Sequence, residues 1–237
     1  MTDVTKRQLV SATFGLWLGL SGAALAQTSP VVVELYTSQG CSSCPPADAF
    51  MEELVKSPDV IALSLHVDYW DYIGWRDTFA SPQFTQRQKA YAKAVGSRMI
   101  YTPQMIVGGL DRVEGNDPAQ VSEAIRRHQA QVSPVRLTVT RDGDQILIQA
   151  EADPPLTAPA RIQVIRYLPE ATVAIGRGEN EGREVTYTNI VTDWQAVADW
   201  PGLAPLEMTA AVTGSDPVVV IVQTEGPANV LAAAQVR

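Results

Sequence analysis

From Pro30 onward the chain changes its apolar rhythm several times. Val31-Val32-Val33-Glu34-Leu35-Tyr36 is a nearly continuous β-branched and apolar run, as in a strand buried on both faces, and Ser38-Gln39-Gly40 reads as a tight turn after it. Within Ala47–Lys56, Phe50, Met51, Leu54 and Val55 fall at helical spacing, so one helix face can pack back on that strand. Ser57-Pro58-Asp59 breaks the pattern, and Val60–Val67 predicts a second buried strand; strand, helix, strand in about 40 residues implies a right-handed βαβ unit. Gln83–Val95 predicts a helix with Phe84, Gln88, Tyr91, Ala92 and Val95 along one side and Gly96 at its end. In Met99–Gly109 the next strand starts at Pro103, because proline cannot donate to a central ladder. Leu110–Gly115 reads as a hairpin return. Pro118–Gln131 reads as a closing helix, opened by Asp117 and Pro118 and carrying Val121, Ala124, Ile125 and His128 on one face.

Beyond Ser133-Pro134 the period becomes two. Alternating runs at Val135–Arg141, Gln145–Glu151, Arg161–Leu168, Ala171–Ile175, Glu184–Asp193, Leu206–Val212, Val218–Thr224 and Val230–Val236 predict about eight short strands. With Pro- and Gly-rich turns and little helix, residues 134–237 are expected to form an all-β antiparallel sandwich domain. One turn there is unusual: Gly176–Arg183 either folds over the first half of the chain and meets substrate, or is a solvated hairpin tip.

Composition narrows the class. With 237 residues, 46% of them hydrophobic and 19% charged, the chain is long enough for one large domain or two ordinary ones, and disorder and coiled coil are excluded. Lys6-Arg7, an apolar run from Leu9 to Leu25 interrupted by glycines and serines, and Ala24-Leu25-Ala26 before Gln27 follow the plan of a secretory signal peptide over residues 1–26; an uncleaved anchor is the alternative. The expected product is therefore periplasmic or secreted. Cleavage removes two cations and one anion and takes the net charge from -8 to -9. An acidic chain without a basic run is not expected to bind nucleic acid or, once the signal is gone, a membrane.

Export sharpens the reading of the only two cysteines, Cys41 and Cys44, which follow the first strand and lie at the start of the first helix. A Cys-x-x-Cys pair there can close a small disulfide, while helix N–H groups favour the thiolate of the first sulfur. The competing reading is a structural disulfide, although so short a loop constrains the unfolded chain little. No metal or other cofactor is expected: zinc wants four ligands and the histidines are His66 and His128, and a c-type haem needs histidine where Pro45 stands. Pro45 and Pro46 lack N–H groups and fit only a first turn, which places Cys41 just ahead of the helix and draws Cys44 beneath it. On that geometry Cys41 is the accessible, reactive thiol, with Asp48 bringing a negative charge that weakens the effect.

Leu35-Tyr36-Thr37-Ser38-Gln39-Gly40-Cys41-Ser42-Ser43-Cys44 resembles the thioredoxin-like superfamily, and in particular a glutaredoxin active-site entry. The longer stretch through Pro45-Pro46-Ala47-Asp48 resembles a family of secreted bacterial proteins with no settled function, domain of unknown function 1223. The resemblance implies an α/β thioredoxin-like domain over residues 30–131, in the order β, α, β, α, β, β, α. It implies that Pro103 is cis and faces the cysteines, that Thr102 offers backbone hydrogen bonds to substrate, and that Glu34 is a buried acid moving protons beneath them, at a one-residue offset from thioredoxin itself.

Asp68–Asp77 follows the second strand and so lies at the same sheet end as the cysteines. Tyr69, Trp70, Tyr72 and Trp75 there form either a substrate platform or a cover. Asp68 either accepts protons near the thiols or caps the turn, and His66 reads as an interior histidine. The leading expectation is an exported thiol-disulfide oxidoreductase acting on protein or small thiol substrates, in which Cys41 attacks and Cys44 resolves. The alternative is a copper-handling or partner-binding scaffold, two thiolates with His66 or Met99 holding Cu(I).

Overall fold

The computed structural model describes residues 29–237; the expected signal peptide at residues 1–26 lies outside the described residues. In the first half, the elements form where the pattern marks them: β1 (Val31–Thr37), α1 (Pro45–Leu54), β2 (Val60–His66), α2 (Pro82–Ala94), β3 (Gln104–Val107), β4 (Asp111–Glu114) and α3 (Pro118–Gln129). Local chemistry accounts for the helix starts. Ser81 and Asp117 accept hydrogen bonds from the N–H groups of Gln83 and Gln120, and each of the three helices opens on proline, whose missing donor is not needed in a first turn. Parity divides β1 between two cores. Val31, Val33 and Leu35 pack with Met51 and Leu54 of α1 and Val121, Ala124 and Ile125 of α3, whereas Val32 and Tyr36 pack with Phe84 and Tyr91 of α2.

The expected separation into an α/β thioredoxin-like domain and an all-β antiparallel sandwich is overturned. The second half supplies β5 (Val135–Asp142), β6 (Gln145–Ala152), β7 (Ala160–Ala174), β8 (Glu184–Trp200), β9 (Leu206–Ala211), β10 (Val218–Thr224) and β11 (Val230–Val236). Four of these extend the first-half sheet into one eight-stranded mixed sheet, in the order β11-β10-β7-β8-β2-β1-β3-β4. The β1–β2 and β2–β8 pairs are parallel and the others in that sheet antiparallel. A three-stranded sheet, β5-β6-β9, lies against the far end, where Leu137, Ile146 and Ile148 meet Ile162, Val164, Val218 and Val220.

The physical reason for the difference is the length of one hairpin. The chain does not stop at Pro169: β7 runs through it for 15 residues and β8 for 17. Leu168 and Glu170 pair with Ile190 and Thr188, which leaves Pro169 opposite Asn189, so its missing N–H breaks no paired bond. Asn189 takes a left-handed backbone, φ 49°, and its side-chain amide donates to the Ala62 carbonyl at 2.9 Å. Ser64 donates to the Thr188 carbonyl at 2.8 Å beside the single registered pair Ser64 and Ile190. The near half of the hairpin is thus built into the sheet beside β10, and the far half projects past β2 toward the end of β1.

A buried polar knot ties α2 to this sheet. The Arg87 guanidinium donates through Nε and Nη2 to the two Glu34 carboxylate oxygens, both at 2.7 Å, while Tyr91 and Tyr36 hydroxyls donate to the same carboxylate at 2.6 and 2.9 Å. Arg87 also lies 3.8 Å from the Trp194 ring centroid and bonds Gln223 at 3.1 Å, linking β1, α2, β8 and β10.

Candidate active site at the Cys41 to Cys44 disulfide

After Thr37 the backbone turns sharply: the Gly40 N–H donates to Ser38 Oγ and the Cys41 N–H to the Ser38 carbonyl, both at 3.1 Å. Cys44 caps α1, and its carbonyl accepts from the Asp48 N–H at 3.1 Å. Cys41 and Cys44 form a disulfide with their Cα atoms 5.4 Å apart. Ser42 and Ser43 are exposed, but both cysteines are 0% exposed. The accessibility expected for Cys41 is therefore not present in this closed form, and exposure does not distinguish the two sulfurs. Cys41 Sγ lies 3.4 Å from Ser43 Oγ.

Two segments close the site from above. The stretch 68–77, with a single 3-10 turn at Asp71–Ile73, folds over Gly40 so tightly that a Cβ there would meet Trp70 Cβ and Ile73 Cδ1 at 3.1 Å. Glycine is the residue that admits this approach. Trp70 Nε1 donates to Thr102 Oγ1 at 2.7 Å and Trp75 Nε1 to Gln39 Oε1 at 2.8 Å. Tyr69 donates to Gln88, and burial pushes its hydroxyl up to about 12. Of the four aromatic rings in the stretch only Tyr72, at 80% exposure, faces solvent fully. The second segment is the tip of the β7–β8 hairpin. Asn180 is 1% exposed and gives its two amide hydrogens to the Gln39 and Cys41 carbonyls, each at 2.9 Å.

Below the disulfide is a buried acid cluster. Asp48 is one helical turn after Cys44 on the covered face of α1, and its Oδ1 accepts from Thr37 at 2.7 Å while Oδ2 has no partner. Burial raises its carboxyl to about 7, against the pull of His66 and the Thr37 hydrogen bond, with the charge on Asp77 adding to the rise. Asp77 behaves oppositely. Burial alone pushes it up, but His66, through charge and a 2.7 Å bond, together with the Gln39 and Phe79 N–H groups, holds it below the usual carboxylate range. His66 is fully buried, with ring contacts to Phe79 and Tyr187 at 5.3 and 4.8 Å and Nε2 unpartnered. Burial, then Asp48 and Asp77, raise the Tyr187 hydroxyl well above its ordinary value.

The expected site residues thus separate into groups. Thr102 and Pro103 stand beside the disulfide: the Thr102–Pro103 bond is cis, the Thr102 carbonyl faces Ser43 Oγ at 3.5 Å, and Gly115 packs against both Pro103 and Ala47. Tyr69, Trp70 and Trp75 are at the site with their polar atoms already engaged. Asp68 accepts from Thr85 at 2.6 Å, an anchoring bond to α2. Glu34 is in the Arg87 knot on the α2 face of β1, opposite α1, whereas the buried carboxyl on α1 itself is Asp48, one turn after Cys44. Met99 is 71% exposed, and His66 is committed to Asp77 through Nδ1. Among the described residues no three His, Cys, Asp or Glu side chains converge in a metal-holding arrangement. Of the two readings of the Gly176–Arg183 turn, the tip does fold over the first half of the chain through Asn180, while the places of Asp48, Asp77 and Gln39 in the site are not marked by the sequence motifs. Asp48 carried a usable signal, because it shares its helix face with Cys44, Ala47 and Met51.

These features define a class: a predominantly β protein with a four-residue disulfide ring under a two-part cover and over a buried carboxyl. The chain belongs to the family described as protein of unknown function (DUF1223), which matches residues 32–223. It is similar to a crystal structure of an Agrobacterium tumefaciens protein, with 33% identity, TM-score 0.76, and coverage of 89% of this chain and 96% of that one. A likeness in fold extends to HBP35 of Porphyromonas gingivalis, with 12% identity, TM-score 0.62, and 88% and 75% coverage. No curated protein gives a match.

Proposed function

We propose that the protein is an exported thiol-disulfide oxidoreductase working through Cys41 and Cys44. The observation that carries the reading is the Cys41–Cys44 disulfide at the start of α1 with the buried Asp48 carboxyl, its Oδ2 unpartnered, one turn along the same helix; burial also raises that carboxyl, to about 7. In the reducing direction, a partner disulfide is attacked by the Cys41 thiolate and releases one partner thiolate. The Asp48 carboxylate then takes the proton of Cys44, whose thiolate attacks Cys41 Sγ, freeing the second partner thiolate and restoring the ring disulfide. In the oxidising direction the same atoms move in reverse, and the Asp48 proton goes to the departing Cys44 thiolate.

The resemblance of Leu35–Cys44 to thioredoxin-like active sites supports this reading at the level of the motif, as does the position of Thr102 and Pro103. Lys6-Arg7, the apolar run to Leu25 and Ala24-Leu25-Ala26 support export. The direct test is capture on a Cys44→Ala variant in the exported fraction. Mixed disulfides through Cys41 that vanish in Cys41→Ala are expected. Their absence, together with no insulin reduction by the wild type, would leave the disulfide a structural one.

A further inference from the structure

The tip of the β7–β8 hairpin is seated rather than merely nearby. Asn180 is buried and bonds the two carbonyls that flank Gly40. Trp75 fills the space over Gly176 and Gly178: its ring Cζ3 lies 3.2 Å from where a Gly176 Cβ would be, and its own Cβ 3.4 Å from where a Gly178 Cβ would be. That locks the tip to the 68–77 segment. The tip is also closed upon itself, with Gly182 N–H to Ile175 carbonyl and Ile175 N–H to Arg183 carbonyl, both at 2.8 Å. Its outer side is solvent: Arg177, Glu179, Glu181, Gly182 and Arg183 are exposed. It is a small preformed unit on few attachments.

We infer that residues 176–182 are a gate on the disulfide, released by loss of the Asn180 and Trp75 contacts, so that opening of this tip limits the rate at which any thiol reaches Cys41 and Cys44. This deepens the oxidoreductase reading by naming the control of its site. Access itself can be measured without a biological partner. A dithiothreitol thiolate attacks one ring sulfur and breaks the S–S bond. The second dithiothreitol thiol then closes its own cyclic disulfide, leaving two protein thiols and oxidised dithiothreitol.

The experiment follows reduction of the full-length mature protein by dithiothreitol, with maleimide capture and mass spectrometry. Asn180→Ala, which deletes two hydrogen bonds, should react about tenfold faster or more. Asn180→Asp, which sets a carboxylate against two carbonyls, should react faster still. Thr172→Val, altering the exposed Thr172–Thr186 pair on the same hairpin, should match the wild type. Rates for both Asn180 variants within twofold of wild type, with native near-UV circular dichroism, would overturn the gate. If the Asn180 variants do not fold, Trp75→Phe and wild-type hydrogen exchange decide: unchanged reduction, or free exchange at Ile175, Gly182 and Arg183, equally overturns it. Because no partner is involved, the gate can fail while mixed disulfides are still trapped, and it can stand when none are.

Discussion

Asp48 makes pH the most direct probe of the site. Its carboxyl is near 7 when folded and near 3.8 in an unfolded chain, so between those values the folded state binds the extra proton. Stability from this group is therefore greatest at the acid end of that window and is lost as pH rises toward 7, on the order of 4 kcal/mol across it. Asp77 acts the other way, but only lower: its stabilising charge is present above about 4 and lost as pH falls through its depressed value. Wild-type Tm should accordingly decline from pH 5 to pH 8. Asp48→Asn should flatten that decline, be more stable than wild type at pH 8, and lose the inflection near pH 7 in its dithiothreitol reduction rate. A Tm profile unchanged by the substitution would remove the buried carboxyl from the account. The sequence shows why Glu34 is the natural first choice for this role. The run Val31–Tyr36 is apolar on both faces, so it carries no sign of which parity α1 covers. Glu34 shares a face with Val32 and Tyr36, whereas α1 covers Val31, Val33 and Leu35.

Among the elements, the first-half helices and strands are legible because each has one rhythm and a clear stop. The long hairpin is not. Pro169 looks like a break, so Arg161–Leu168 and Ala171–Ile175 read as two separate strands, but it occupies an unpaired slot within a single one. The join between α2 and the sheet is equally silent in sequence, since Glu34 and Arg87 lie 53 residues apart. Its energetics are testable. Arg87→Ala leaves a Glu34 carboxylate that is 1% exposed without its counter-charge and should cost about 3–5 kcal/mol in urea unfolding. Glu34→Gln, which keeps the shape but also strands Arg87, should be destabilising too. Neither should alter the pH dependence of disulfide reduction, because the knot is on the opposite face of β1 from α1. A shifted inflection would show that the two clusters communicate.

For the whole molecule, the central fact is that the sheet does not end at residue 131. β2 is an interior strand only because β8 pairs with it, and Leu63, Leu65 and Val67 share a core with Tyr167, Val191 and Trp194. A fragment of residues 29–131 should therefore lack a cooperative thermal transition and bind a hydrophobic dye. A sharp two-state transition in that fragment would show that the first half stands alone. The same arrangement has a consequence for biogenesis. The gate residue Asn180 lies 139 residues after Cys41, and chains are made from the N-terminus. During that interval the cysteines have emerged and their cover has not. The nascent chain offers its sulfurs freely to whatever oxidant it meets, and the finished protein withdraws them, so the redox state sealed in at birth is the one the mature molecule carries until the tip lifts.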